Sequence, residues 1–220
     1  SGNFENSNNS AFVFDLFDNK RNYNVKGILY QSDSPTFSET KGFRGTFSLS
    51  DLTGNFRYAI GWGGVDANYY QNDLGFYRNR NDQRFYARVR FLTFKPTKIY
   101  KTIQGYWFIS ERSRFYPKIF KSTGTRIGLD ITTLELHKIE LDVDYTSKYK
   151  NFDEPRKKDT FIIDPAEFEL QLKFTSDSRK KFKYLFDFKH LYAVGEDFNE
   201  NKIENSYGFG AGLRANNKLN

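Results

Sequence analysis

Apolar and polar residues alternate one by one along most of this 220-residue chain. In segments 43–50 and 138–146 the odd positions hold apolar residues or glycine, and the even positions hold polar ones. Because successive side chains of a strand point to opposite faces, this period of two predicts strands with one apolar and one polar face. A turn containing Gly54 joins 43–50 to a second alternating run, 56–63, which is typical of a β-hairpin.

The alternation predicts about eleven antiparallel strands, each of about 8–12 residues. They lie near 12–17, 23–31, 43–50, 56–63, 85–92, 99–109, 126–132, 138–146, 167–174, 182–188 and 207–213. Some connections are tight, such as 51–55 and 175–181, whereas others, such as 66–82, 150–165 and 193–204, are long and polar. Strands of this length with connections of two kinds indicate an up-and-down transmembrane β-barrel.

Composition strengthens this prediction. The chain has 24 Phe, 15 Tyr and 2 Trp, 19% aromatic residues in all, yet its mean hydropathy is −0.74. A chain can be both aromatic and hydrophilic if every strand places rings on one face and polar groups on the other, as a membrane barrel with a wet interior does. A soluble β-sandwich gives a weaker version of this pattern. Charges at nearly every polar position of 138–146 and 167–173 favour the barrel.

The formal net charge of +7 comes from scattered basic residues. No phosphate-binding loop or RNA-binding motif accompanies them, so we expect no nucleic-acid partner. The absence of Cys excludes a disulfide framework, a thiolate metal site and a Cys nucleophile. The chain begins with Ser1 and not with Met, so we expect it to be processed or cut from a longer protein whose signal peptide is removed or lies upstream.

Few residues offer catalytic chemistry. His137 and His190 are the two histidines, and neither has a second His or Cys at ligand spacing, so we expect no metal and no cofactor. Asp142 and Asp144 are about 7 Å apart if they alternate on one strand, a separation that glycosidase carboxylates use. A charged barrel wall explains both residues without catalysis, so we assign no catalytic residue and favour a protein that is not an enzyme.

Two groups of residues are candidate binding positions. The aromatic and amide side chains of loop 69–77 could stack on and hydrogen-bond to a sugar ring, but we favour a turn at the membrane interface as their explanation. The predicted ligand-contact residues in this loop are Tyr69, Tyr70, Asn72, Asp73 and Phe76. The predicted lumen-lining charges are Arg57, Arg88, Arg90, Arg126, Asp142 and Asp144. These charges indicate either a weak preference for anions in a pore or a ladder of salt bridges, and we favour the ladder because nearly equal numbers of both signs lie on the polar faces.

Four segments carry a resemblance to a known family. They are NDLGF at 72–76, FDEPR at 152–156, SDSRKKF at 176–182 and the glycine-containing strand start at 121–129. Their order and spacing resemble those of large Gram-negative outer-membrane proteins. In these proteins an N-terminal domain like carbohydrate-binding family 9 precedes a C-terminal domain of unknown function that is predicted to be a barrel.

The resemblance implies that residues 1–220 are a single β-barrel domain, incomplete at both ends, in the cell outer membrane. It further implies contacts with lipid and lipopolysaccharide, with other outer-membrane proteins in a complex, and with glycans that the protein captures or takes up. Two alternatives stay open: a soluble or surface-exposed β-sandwich that binds carbohydrate, and a membrane-embedded hydrolase with lumenal carboxylates.

Overall fold

The computed structural model describes residues 8–33, 41–69, 81–93, 95–155, 160–194 and 201–214. The strands are β1 (Asn8–Phe17), β2 (Tyr23–Asp33), β3 (Gly42–Asp51), β4 (Phe56–Val65), β5 (Asp82–Leu92), β6 (Tyr100–Arg114), β7 (Phe120–Thr133), β8 (Lys138–Thr146), β9 (Tyr149–Asn151), β10 (Ile162–Asp164), β11 (Ala166–Thr175), β12 (Phe182–Val194) and β13 (Asn201–Leu213). The described part of the chain contains no helix that is long and apolar enough to cross a membrane.

Eleven of the strands form one antiparallel sheet in the order β1 to β8, then β11, β12 and β13. Each strand therefore pairs with the next long strand along the chain, and the predicted up-and-down order of eleven strands is confirmed. The remaining two strands, β9 and β10, form a small hairpin inside the connection 147–165. At three residues each they are too short to show an alternating pattern, so the sequence did not predict them.

The register sorts the side chains into two faces, because directly opposed residues of an antiparallel pair point the same way. Leu172 of β11 opposes Leu141 of β8 and Phe188 of β12, whereas the neighbouring Gln171 opposes Lys189 of β12. The same separation runs through the other strands and defines an apolar face and a polar face. Members of the apolar face are Phe12, Phe14, Leu16, Val25, Leu29, Phe47, Leu49, Ile60, Trp62, Phe85, Val89, Phe91, Trp107, Ile127, Leu141, Val143, Leu170, Leu172, Phe186, Phe188, Tyr207 and Phe209.

Nothing in the described part of the chain covers the apolar face. Ala59, Val65, Tyr69 and Ala193 are the only buried apolar residues among all the described residues. None of them is a large aliphatic core residue such as Leu or Ile. Large members of the apolar face are exposed, among them Ile60 at 55% of its maximum surface. Among the described residues, no second sheet packs on this face, because the β9–β10 hairpin lies beside the polar face. This arrangement differs from a sandwich with its shared inner core.

In β5 and β11, aromatic residues occupy both ends of the apolar row. In β5 the row begins with Phe85 and ends with Phe91, and the residues between them are aliphatic. In β11 it begins with Phe168 and ends with Phe174, with leucines between them. Aromatic girdles that flank an aliphatic band are typical of sheets that cross a bilayer.

Polar exceptions on the apolar face are few. Glu111 of β6 is opposite Phe85, near one end of the strands. His190 of β12 is opposite Asn205 of β13, and its Nδ1 lies 2.7 Å from the Asn205 Oδ1. The contact satisfies the His190 Nδ1 and the Asn205 Oδ1 without water.

The connections at the two ends of the sheet differ in length. One end carries 18–22, 52–55, 93–99, 134–137 and 176–181, and the other carries 34–41, 66–81, 115–119, 147–165 and 195–200. The first set is uniformly short, while the second contains the longest connections, as the sequence pattern indicates. The sheet is not closed, because β1 and β13 are its two edges. A barrel is therefore not formed by these residues alone.

Candidate functional site

A groove with a volume of about 940 Å³ lies on the polar face, where β5, β6 and β7 meet the β9–β10 hairpin. We call it the arginine groove. Its charged lining residues are Arg84, Arg88, Arg90, Arg112, Arg126, Asp144, Asp164 and Glu167. The arginines come from β5, β6 and β7, and the carboxylates come from β8, β10 and β11. The arginines of β5 and β6 form one wall of the groove, whereas Arg126 lies beside the carboxylates on the opposite wall.

The hairpin is attached to the sheet at the end with the longer connections. Its Tyr149 ring lies under the ammonium group of Lys121, 5.0 Å from the ring centroid. Next to the hairpin, the Phe152 ring lies 4.7 Å from the guanidinium carbon of Arg114. The backbone N–H of Ser147 donates to the carbonyl of Thr123 at 2.8 Å, which extends the β7–β8 pairing toward the hairpin. These contacts place the hairpin beside β7, where it forms one wall of the groove.

Lys121 owes its position to a β-bulge. The β6–β7 register jumps between Arg112, which faces Ser122, and Ser113, which faces Phe120, so Lys121 is the extra residue. Strict alternation would put it on the apolar face, but a bulge re-aims the side chain. The Lys121 ammonium group lies 2.8 Å from a carboxylate oxygen of Asp82, and the lysine side chain is only 4% exposed. The result is a buried ion pair at the rim of the groove.

Arg84 is held in place from two sides. Its Nη2 donates to Ser110 Oγ at 3.1 Å, and its guanidinium carbon lies 4.8 Å from the centroid of the Phe108 ring. Its Nε is buried and has no hydrogen-bond partner among the described residues. The guanidinium group is therefore fixed while part of its donor capacity stays unused, because a guanidinium offers five N–H donors.

Arginines oppose each other directly at two places on the polar face. Arg84 of β5 is opposite Arg112 of β6, and Arg90 of β5 is opposite Arg57 of β4. Like charges that face each other across two strands destabilise a sheet. Among the described residues, none of Arg84, Arg88, Arg90 and Arg112 forms an ion pair with a carboxylate. These four residues, which we call the arginine cluster, thus concentrate positive charge on one wall.

The opposite wall is neutralised within the chain. Arg126 forms an ion pair with Asp144, its cross-strand neighbour. The Tyr106 hydroxyl donates to Asp142 Oδ1 at 2.5 Å. That bond depends on Gly128, because a Cβ added there would lie 2.1 Å from an edge carbon of the Tyr106 ring. A second cavity of about 270 Å³ lies beside this group and is lined by Tyr106, Arg126, Asp142, Asp144, Glu169 and Gln171.

Further ion pairs continue across β8, β11 and β12 on the polar face. The ammonium group of Lys189 lies 2.9 Å from Glu169, and that of Lys173 lies 3.8 Å from Glu140. In addition, the Gln171 amide donates to Asp187 at 3.1 Å. This half of the polar face is the salt-bridge ladder that the sequence offered as one interpretation. The arginine cluster is outside that ladder.

The structure places all six predicted lumen-lining charges on the polar face. Four of them, Arg88, Arg90, Arg126 and Asp144, line the arginine groove. Asp142 lines the second cavity, and Arg57 lies on β4 opposite Arg90. Asp142 and Asp144 share a face as predicted, but each is engaged by a neighbouring side chain. Sequence reasoning missed Arg84 and Arg112, although both stand at polar positions of strands. Starting β5 at Asp82 would have included Arg84, and extending β6 to Arg114 would have included Arg112.

The predicted sugar-contact loop falls mostly outside the described residues. Of its members only Tyr69 is described, and that side chain is 2% exposed while its backbone N–H donates to Asp66 at 2.7 Å. Tyr70, Asn72, Asp73 and Phe76 lie outside the described residues.

The two histidines have local partners. The His137 ring lies 3.2 Å from Glu135 in a turn, and His190 is bonded to Asn205 as described above. No three His, Cys, Asp or Glu side chains in the described ranges are grouped closely enough to hold a metal ion.

Comparisons with known proteins gave one match. A family model described as "Domain of unknown function (DUF5916)" matches residues 1–220. No curated protein and no solved structure matches the chain.

Proposed function

The chain belongs to the DUF5916 family, and we propose that it forms part of the wall of an outer-membrane β-barrel whose polar face lines a water-filled interior. The uncovered apolar face is the observation that carries this proposal. A protein in water rarely leaves more than a few hundred Å² of contiguous apolar surface exposed. A lipid environment removes the cost of that exposure, because the acyl chains are as apolar as the side chains they contact.

The size of the apolar face supports the proposal. Eleven strands at a spacing of about 4.8 Å make a sheet about 50 Å wide, and ten residues rise about 33 Å. The apolar face is thus well over 1,000 Å² in area, beyond what a soluble monomer exposes. Its height also fits a hydrocarbon core of about 30 Å, which tilted strands of about 9–11 residues cross.

The polar face supports a wet interior. It carries arginine, lysine, aspartate and glutamate along β5 to β8 and β11 to β13, and charged groups are costly to bury without water or partners. Lipid on one face and water on the other is the arrangement of an outer-membrane barrel. Such an interior admits or holds hydrophilic solutes, and we propose glycans at the cell surface as the class that the protein captures or takes up.

Further strands complete the wall in this proposal. Edge strands with unpaired backbone groups are not tolerated in hydrocarbon, so β1 and β13 each need a partner strand from elsewhere in the full-length protein or from a partner in the membrane. A carbohydrate-binding domain N-terminal to the barrel would deliver the glycan to the interior.

Gel mobility of the full-length parent protein in detergent, boiled against unboiled, tests the proposal. A closed membrane barrel resists unfolding by the detergent until it is heated, so we expect two bands that interconvert on boiling, with β-rich circular dichroism before heating. A soluble β-sandwich would show no such shift and would stay soluble after the detergent is removed, and this result would overturn the proposal.

A further inference from the structure

The arginine groove has features that a barrel wall does not need. On the ladder half of the polar face, cations neutralise carboxylates within the chain, as Lys189 does with Glu169. On β5 and β6 the charges instead repel one another, since Arg84 and Arg112 are directly opposed. Repulsion of this kind lowers stability unless an anion lies between the groups. We infer that the arginine cluster binds an oligovalent oxyanion, a solute that bears two or more phosphate, sulfate or carboxylate groups.

The geometry of the cluster fits such a ligand. Opposed residues on neighbouring strands are about 5 Å apart, and alternate residues of one strand, such as Arg88 and Arg90, are about 7 Å apart. An anion with two or three charged groups spans these distances, whereas chloride contacts one position at a time. Arginine is suited to this task because its planar guanidinium group forms paired hydrogen bonds with phosphate and carboxylate oxygens.

One member of the site is ordered before any ligand arrives. The contacts with Ser110 and Phe108 fix the Arg84 guanidinium group, whose buried Nε has no partner among the described residues. Preorganised donors bind more tightly because less side-chain freedom is lost on binding. The volume of about 940 Å³ is at the upper end of the range usual for small-molecule sites, about 300–1,000 Å³.

The carboxylates of the far wall set which side of the groove the anion occupies. Asp144 is neutralised by Arg126, and Asp164 accepts a hydrogen bond of 3.1 Å from Asn151. Glu167 is the third carboxylate in the lining. Five arginines therefore face three carboxylates, which leaves the groove positive and directs an anion to β5 and β6. This inference rests on the proposed function, because a barrel makes the groove part of a water-filled interior.

Equilibrium titration of the full-length parent protein in detergent at low ionic strength tests the inference. The probes are inorganic tripolyphosphate and citrate, with sodium chloride at matched ionic strength as the reference. We expect one or both probes to bind. R88Q and R112Q should each weaken binding about tenfold, since a hydrogen bond to a charged group contributes about 1.5–3 kcal/mol and 1.4 kcal/mol is tenfold. A preference for one probe identifies phosphate or carboxylate as the natural group.

K202Q is the matched control, because Lys202 is on the same face in β13, is 66% exposed and lies outside the groove. It removes the same charge and should leave binding unchanged. Equal weakening by K202Q and R112Q would show a general charge effect and overturn the inference, as would the absence of binding by both probes.

R112Q should also preserve or raise stability, since it relieves a like-charge contact. Gel mobility of the same samples separates the two proposals, because a sample with the boiling shift but no binding contradicts only the anion site.

Discussion

The two faces of the eleven-stranded sheet are organised by different partners. On the polar face outside the arginine cluster, polar groups find partners within the chain: Lys121 with Asp82, Arg126 with Asp144, and Tyr106 with Asp142. On the apolar face, side chains contact only their neighbours on the same layer, as the Phe56 and Phe91 rings do at a centroid distance of 4.9 Å. The positions of these polar side chains are therefore determined by contacts within this chain. The stability of the apolar face depends instead on the water or lipid that contacts it.

That difference separates two kinds of energy. Changes on the polar face should act through particular hydrogen bonds and ion pairs, and their effects should depend on how buried those groups are. Changes on the apolar face should act through transfer between water and lipid, and their effects should depend on depth in the membrane. The first of the four predictions below compares the two faces directly. The other three test particular hydrogen bonds and ion pairs of the polar face and of one turn.

The largest effect is expected for a charge on the apolar face. In the proposed barrel, L170R would place a guanidinium group near mid-bilayer depth, and we expect a loss of up to about 4 kcal/mol in the free energy of unfolding in lipid. F186R should have a smaller effect, because Phe186 lies opposite Phe174 at the aromatic end of the apolar row. The neighbouring Q171R points to the polar face, near Asp142 and Asp187, and should change stability by less than about 1 kcal/mol. Denaturant titration in vesicles measures both, and equal effects would contradict the assignment of the faces.

A loss of about 3 kcal/mol is expected for D82N. The change leaves the ammonium group of Lys121, whose side chain is 4% exposed, without its carboxylate partner. E204Q is the control, because Lys202 and Glu204 form a pair at 3.1 Å whose side chains are 66% and 59% exposed. That exposed pair should contribute less than about 1 kcal/mol. If both variants unfold at the same denaturant concentration, the bulge at Lys121 does not create a buried ion pair.

Gly128 is expected to tolerate no side chain. In G128A the new Cβ would displace the Tyr106 ring and break the hydrogen bond to Asp142, at a cost of about 2 kcal/mol. G63A lies on the same face, but its Cβ would have its nearest neighbour at 3.6 Å. That variant should be neutral or slightly stabilising, because alanine loses less backbone entropy than glycine on folding. Midpoints of chemical unfolding would show the contrast, and its absence would remove the role assigned to the Tyr106 ring.

The smallest effect is a pH dependence in the turn between β11 and β12. The guanidinium group and then the backbone N–H of Arg179 hold the pKa of Asp177 at about 2, below the unfolded value of about 3.9. The stability from this turn is therefore complete above about pH 4 and is lost as the pH falls through about 2. D177N should remove that dependence. If the stabilities of wild type and D177N keep a constant difference from pH 6 to pH 2, Asp177 does not titrate in this way.

The period-two pattern was sufficient to predict the long strands and their order, because a sheet with one apolar and one polar face requires the two residue types to alternate along its strands. Phe168 to Phe174 illustrate this, since each apolar residue of that run lies on the apolar face. The β9–β10 hairpin was not predictable, since Ile162 to Asp164 are too few to show a period. The position of Lys121 was also hidden, because a bulge reverses the face that alternation assigns.

The candidate site was predicted in part. Polar positions on strands identified Arg88, Arg90 and Arg126 as residues of the polar face, since their alternation with apolar residues is unambiguous. The opposition of Arg84 and Arg112 depends on the register between β5 and β6, which is fixed by pairing along the whole strand and by the connection 93–99. No short-range signal in the sequence gives that register.

Single-cysteine labelling along β11 tests the central claim most directly. The chain has no cysteine, so variants at positions 168–174 of the full-length parent protein, with any cysteine elsewhere replaced by serine, can be labelled one at a time in membranes. A charged, water-soluble maleimide should react at Glu169, Gln171 and Lys173, and at the intervening apolar positions only after denaturation. Equal reactivity at all seven positions, or the opposite alternation, would contradict a sheet with lipid on one face and water on the other.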